Sequence, residues 1–380
     1  MPVKKHHYLR WLTIAALLFI AWFCWRLFGP NPPIIVSKET TYITEPLRPD
    51  GLPDYQRYVR EKLRDGATPE NNAAVLILQA MGPGKLKPNE QIAVAKELGI
   101  TLPLSGRTLT RLYGKTNREL VAKLLGDQFS TPICDRDDIV YDAIDAAMGA
   151  PWSSDEFQPI AAWIEENQQQ LDLLVGLSKR SGYYFPSPSL LNQSSDDPWF
   201  FGPDGGFSSA RDAARVMCVR AMWNLGEGRS EAAWQCILAV HRLARLLSQN
   251  ETTIDQLVAI AIDGIARDAT ITLLADDHLP ASLAHQIQID LTDLQSPVRF
   301  ADAFDGLERI SFLASIPYFA ECGAASSIAM MNMESEPTFN PLDYVSIDWN
   351  VTLREGNQWY DRLAAAFHEP DGGKRRLSIA

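Results

Sequence analysis

The residues equipped for chemistry are few and widely spaced. Beyond His6 and His7, the histidines are His241, His278, His285 and His368. His278 stands next to Asp276 and Asp277 and seven positions before His285, the one grouping that suggests a metal. It lacks an H-E-x-x-H or H-x-x-x-H pair, and Pro280 separates the two histidines, so one helix face need not hold both. Gly82-Pro83-Gly84-Lys85 suggests a phosphate loop, but a Walker A element needs Ser or Thr after the lysine, and Leu86 follows. Asp135-Arg136-Asp137-Asp138 suggests calcium, but Val140 and Ala146 hold the places of the loop glycine and the bidentate glutamate. Neither G-x-S-x-G nor S-x-x-K occurs. Among 47 acids, carboxylate pairs arise by chance and carry no weight for glycosidase chemistry. The sequence nominates no catalytic residue, no cofactor and no metal ligand.

The cysteines are Cys24, Cys134, Cys218, Cys236 and Cys322, with no C-x-x-C pair, which leaves zinc and thioredoxin-like readings without support. Cys218 and Cys236 are placed to face each other across a helical hairpin. They read either as a disulfide or, in the simpler reading, as small apolar core residues.

The strongest binding candidate is an aromatic segment, 183–206. It holds Tyr183, Tyr184, Trp199, Phe200 and Phe201 among prolines and glycines. Loops seldom carry such apolar mass. These five side chains are the candidate interaction surface; the competing expectation is that they fold back and plug the protein's own core.

Charge limits the partners. The net charge is −12, and residues 1–30 carry Lys4, Lys5, Arg10 and Arg26 without an acid, so the rest is more acidic still. Such a body is not suited to bind nucleic acid or anionic lipid nonspecifically.

What positions these residues is a chain that reads as mainly α. Lys4, Lys5 and Arg10 precede an apolar run from Trp11 to Trp25, with Trp22, Trp25 and Tyr8 at interfacial positions and Arg26 at the end, where it can snorkel. No small-residue cleavage site follows, so the run reads as an uncleaved single-pass signal anchor over 1–28. The positive flank keeps the N-terminus cytoplasmic and exports the body, on the periplasmic side. Residues 29–51 are Pro-rich and read as a stalk, with 34–36 and 40–44 as candidate short strands. Residues 52–370 read as an all-α domain of stacked helical hairpins, irregular and α-solenoid-like, divided near 183–206. A basic tail, 371–380, follows.

Within the domain, Thr68 and Pro69 start a helix that stops at Gly82-Pro83-Gly84. Ser153-Ser154-Asp155-Glu156 forms an S-x-x-E capping box ahead of a helix ending near Ser181-Gly182. Ala214 to Leu225 and Ala233 to Leu247 are amphipathic, joined by Gly226-Glu227-Gly228-Arg229. The next helix, Thr253 to about Leu274, is apolar on most sides and is expected to be central, with Asp263 and Arg267 spaced to pair. A helix over Asp302–Phe319 is expected to kink or end near Pro317, and a last one covers Thr352–Phe367. Trp223-Asn224-Leu225-Gly226 matches the W-x-x-L-G of tetratricopeptide repeats, but only one such hairpin occurs.

Four stretches carry a family resemblance: Glu39 to Leu47, Pro69 to Leu76 with Gly82-Pro83, Ala232 to Leu246, and Ala259 to Ala266. In these the chain resembles a group of planctomycete proteins that are membrane-anchored or secreted and helical. The resemblance implies that architecture. It implies no catalytic residue, because the group has no assigned activity. Composition and architecture together point to a membrane-tethered scaffold or a subunit of an envelope complex, with a protein partner and no nucleic acid. The alternative is an envelope hydrolase whose active site is dispersed over several helices.

Overall fold

The computed structural model describes residues 3–84, 86–101, 108–109, 112, 142–191, 207–250, 252–297, 300–323 and 345–369. Trp199, Phe200, Phe201, Cys134, residues 135–138 and the basic tail lie outside them. The fold is mainly helical, as expected, and no strand forms among the described residues. Only two isolated bridges occur, Leu47 with Pro53 and Asn72 with Gly182. In chain order the helices are α1 (Val3–Phe28), α2 (Tyr55–Arg64), α3 (Ala73–Met81), α4 (Pro88–Leu98), α5 (142–149), α6 (Gln158–Glu166) and α7 (Gln168–Val175). After them come α8 (Pro188–Leu191), α9 (Phe207–Gly226), α10 (Ser230–Leu247), α11 (Thr253–Leu274), α12 (Ala281–Thr292), α13 (Phe300–Ala303), α14 (Arg309–Cys322) and α15 (Trp349–His368). The chain forms two compact units: its two ends together (Met1–Tyr58 with Leu307–Ala380), and Val59–Gly306.

In the Val59–Gly306 unit, α9, α10 and α11 are joined by short turns, so neighbours run antiparallel, and all three pairs are in contact as a bundle. α10 is central because its apolar residues cover most of its circumference: Ala233, Trp234, Ile237, Val240, Leu243 and Leu247 are all buried. The Trp234 indole is enclosed yet satisfied, its Nε1 donating to Asp290 Oδ2 at 2.7 Å. α3 is buried along nearly its whole length. Its N-cap is Asn72, whose side chain accepts from Ala74 N. The hairpin turn is tight at Gly226, where an added Cβ would lie 2.1 Å from the Trp152 carbonyl oxygen. That close approach is why the tetratricopeptide-like glycine stands there.

The capping box acts one turn earlier than expected. Glu156 Oε2 accepts from Ser153 N at 2.7 Å, but the helix itself begins at Gln158. Ser154 faces the other way, its N and Oγ both 2.8 Å from Glu227 Oε1. The expected single helix to Ser181-Gly182 is broken at Asn167 into α6 and α7 and then tightens to a 3-10 turn over Gly176–Lys179.

The unit of both chain ends contains α1, whose window Trp11–Phe28 has mean hydropathy 1.8 and no buried side chain. It is long and apolar enough to cross a membrane, about 27 Å at 1.5 Å per residue. Residues 29–51 form no regular strand and carry tertiary contacts beyond those of a spacer. Thr40, Thr41 and Ile43 are buried. Asn357 Nδ2 donates to Thr40 O at 2.7 Å and Glu39 O at 3.1 Å, and Ile35 N donates to Asn350 Oδ1 at 2.7 Å. Asparagine amides on α15 thus serve backbone groups that irregular chain leaves unpaired. Arg309 is buried, with Nη2 2.7 Å from Asp361 and its guanidinium 4.5 Å above the Tyr42 ring.

The break expected near Pro317 falls instead at Gly306, where φ −90° and ψ −114° interrupt a π-helical segment, Phe304–Glu308. Pro317 sits inside α14.

Candidate functional site

The site grows from one residue that the amphipathic pattern would not choose. On α9, Val216, Met217, Cys218 and Val219 are buried, and so are Ala221 and Met222, yet Arg220 stands between them. Its side chain is 12% exposed. Nη2 reaches Asp172 Oδ1 on α7 at 2.6 Å. Nε and Nη1 are buried without an acceptor. Each unpaired buried donor costs about 1–3 kcal/mol, so this guanidinium is held in an under-satisfied state.

Arg220 lines a cleft of about 450 Å³, within the ~300–1,000 Å³ range of small-molecule sites. Its walls differ in charge. α6 and α7 supply Glu165, Gln168 and Asp172; α9 and the turn after it supply Arg220, Trp223 and Arg229, with Ile164, Val175 and Cys236 as apolar lining. Arg229 lies 4.4 Å from the Trp223 ring centroid, and its Nε donates to Asn224 Oδ1 at 2.9 Å. Trp223 Nε1 donates to Ser154 Oγ at 3.0 Å, which fixes the indole plane at the cleft edge. Ser154 also holds the Glu227 carboxyl below its ordinary range by hydrogen bonding.

Cys218 and Cys236 are both buried free thiols. Burial pushes Cys218 up strongly and Cys236 up to about 11, with Arg220 partly offsetting the latter. At neutral pH both are protonated and inert as nucleophiles.

A second polar cluster lies between α10 and α11. His241 Nε2 is 2.9 Å from Thr270 Oγ1, and Nδ1 is 3.2 Å from Asp263 Oδ1. The order hydroxyl–imidazole–carboxylate has the geometry of a nucleophile triad. However, His241 is 5% exposed, Thr270 is buried, and Thr270 Oγ1 also donates to Ala266 O at 2.8 Å. None of these residues lines the cleft. The cluster joins two helices and offers no reachable hydroxyl. Asp263 was expected to pair with Arg267; instead it pairs across the helix interface with His241 and with Arg245 at 3.3 Å, while Arg267 turns to Asp268.

Of the aromatic candidates, Tyr183 and Tyr184 are 6% and 3% exposed. Tyr183 joins the main core, and Tyr184 packs with Val75, Leu78, Val94 and Leu98. Asn72 holds the Tyr184 backbone from both sides, accepting from its N at 3.0 Å and donating to its O at 2.8 Å. Trp199, Phe200 and Phe201 lie outside the described residues. His278 turns to Asp276 of its own turn at 3.3 Å, and among the described residues no group of three His, Cys, Asp or Glu gathers.

Sequence reasoning overlooked two features. One is Arg220, whose signal was a cation inside an apolar helix. The other is the outer face of α11: apolarity on most sides suggests a central helix, yet Ile254, Leu257, Ile260, Ile271 and Leu274 are 48–61% exposed. Compared with protein-family models, curated proteins and solved structures, the chain matches none.

Proposed function

We propose that this protein is a membrane-tethered helical scaffold, anchored by α1 with Lys4, Lys5 and Arg10 on the cytoplasmic side, whose exported body recruits a protein partner of an envelope complex. One observation carries the reading. α11 buries Ala259, Ile262, Ala266 and Leu273 in the core and turns a second apolar stripe outward. The stripe runs from Ile254 to Leu274, about 30 Å at 1.5 Å per residue. Between Ile260 and Ile271 the outward face carries only the small Ala261 and Gly264 and the exposed Arg267–Asp268 pair, 3.6 Å apart. A surface of this length, with Ile254, Leu257 and Ile260 at one end and Ile271 and Leu274 at the other, fits the apolar face of a partner's amphipathic helix. Apolar side chains clustered on one exposed helix face mark a docking surface more than scattered ones do.

The test is capture of solubilised full-length protein beside a Leu257→Glu/Ile271→Glu variant. Both side chains are exposed, so the variant keeps its melting temperature. The scaffold reading expects a stoichiometric partner with the wild type and its loss with the variant. Equal recovery with both would overturn it. The hydrolase alternative gains nothing from the His241–Asp263–Thr270 cluster, which is closed off in a helix interface.

A further inference from the structure

We propose that the cleft between α6/α7 and α9/α10 binds a small zwitterion, an amino acid or short peptide with a free ammonium and a free carboxylate. The cleft shares no lining residue with the α11 stripe, so this site stands whether or not that stripe recruits a partner.

The charge arrangement selects the ligand. A cleft for a simple anion would be cationic throughout. Here one wall offers Glu165 and Asp172, and the facing wall offers Arg220 and Arg229. The four charges cancel, so a ligand of either sign alone would meet as much repulsion as attraction. A ligand carrying both signs satisfies both walls. Its carboxylate takes Arg220 Nη2, and its ammonium takes Asp172. The Asp172–Arg220 bond of 2.6 Å is then the closed form of the empty cleft. Asp172 stands where the ligand carboxylate goes, and its side chain is 57% exposed, free to swing aside. Insertion exchanges one ion pair for two, the ligand carboxylate taking the place of Asp172 at Arg220 Nη2. The Trp223 plane, with Ile164 and Val175, offers the apolar surface for a ligand side chain. Arg229, stacked on Trp223 at 4.4 Å, is pre-placed to close over the carboxylate end.

The experiment is isothermal titration of the full chain in nanodiscs with phenylalanine, the dipeptide Ala-Phe, N-acetyl-Ala-Phe and Ala-Phe amide. Phenylalanine and Ala-Phe tell a free amino acid from a peptide. Binding of at least one of them is expected, with a loss of about tenfold or more when either terminus of the peptide is capped. Arg220→Gln is expected to abolish the preference for a free carboxylate. Asp172→Asn, whose amide oxygen still accepts from Arg220 Nη2 and whose fold is checked by its melting temperature, is expected to weaken Ala-Phe while leaving N-acetyl-Ala-Phe unchanged. The proposal is overturned if neither phenylalanine nor Ala-Phe binds, if capped and free peptides bind equally, or if Asp172→Asn weakens both peptides alike.

Discussion

His241 Nδ1 lies 3.2 Å from Asp263 Oδ1 across the interface of α10 and α11, and Arg245 approaches the same oxygen at 3.3 Å. The hydrogen bond from His241, aided by Arg245, holds the Asp263 carboxyl below its ordinary range against the opposing effect of burial. A depressed carboxylate stabilises the fold above its unfolded pKa of about 4, and this contribution is lost as pH falls through the lower folded value. Asp263→Asn is therefore expected to cost about 1–2 kcal/mol at pH 7, trimmed because the side chain is partly exposed. The gap to wild type should shrink below about pH 4. Urea unfolding at pH 7, 5 and 3 checks this; a gap of constant size across the series would contradict it.

Two glycines of the α9–α10 turn should respond differently to alanine. At Gly226 the new Cβ would meet Trp152 backbone atoms that cannot yield, at 2.1 Å from the carbonyl oxygen. At Gly228 the space is open and only the backbone conformation, φ +73°, resists. Gly228→Ala is expected to cost about 1 kcal/mol, and Gly226→Ala about 3 kcal/mol or more. Thermal unfolding of the two variants orders them; equal melting temperatures would refute the close approach.

Asn72→Ala removes both bonds to the Tyr184 main chain and the cap on α3. A loss of about 2–4 kcal/mol is expected. The Tyr184 amide should exchange its hydrogen faster than the amides of α10. Unchanged protection at Tyr184 would show that the segment is held by ring packing alone.

In the unit of both chain ends, Asn357→Ala deletes the donor to Glu39 O and Thr40 O. Trypsin should then cut sooner after Lys38 than in wild type, because a segment released from its hydrogen bonds reaches the protease more often. Identical digestion would mean that the Arg309–Tyr42 contact holds the segment without Asn357.

The helices of the bundle were legible because periodicity records which face is buried, and Ala214 to Leu247 wears that record plainly. Partners across helices were not. Spacing within one helix pointed Asp263 to Arg267, since i, i+4 neighbours are all that spacing can count. The actual partners come from α10. Pro317 outweighed Gly306 as a breaker because proline's effect is local and visible, whereas a π-segment is set by tertiary packing. The cleft was illegible for the same reason: Arg220 looks like an interruption in an apolar run until α7 is placed opposite it. The aromatic segment was singled out by composition, which cannot tell that the Asn72 clamp turns Tyr184 inward.

The most direct test of the scaffold reading places a photo-crosslinking amino acid at Leu257, Ile260 or Ile271 on α11, and at the exposed Gln288 on α12 as a control, in native membranes. The account predicts one protein adduct of the same mass from all three α11 positions and none from Gln288. No adduct from α11, or equal adducts from Gln288, would contradict it.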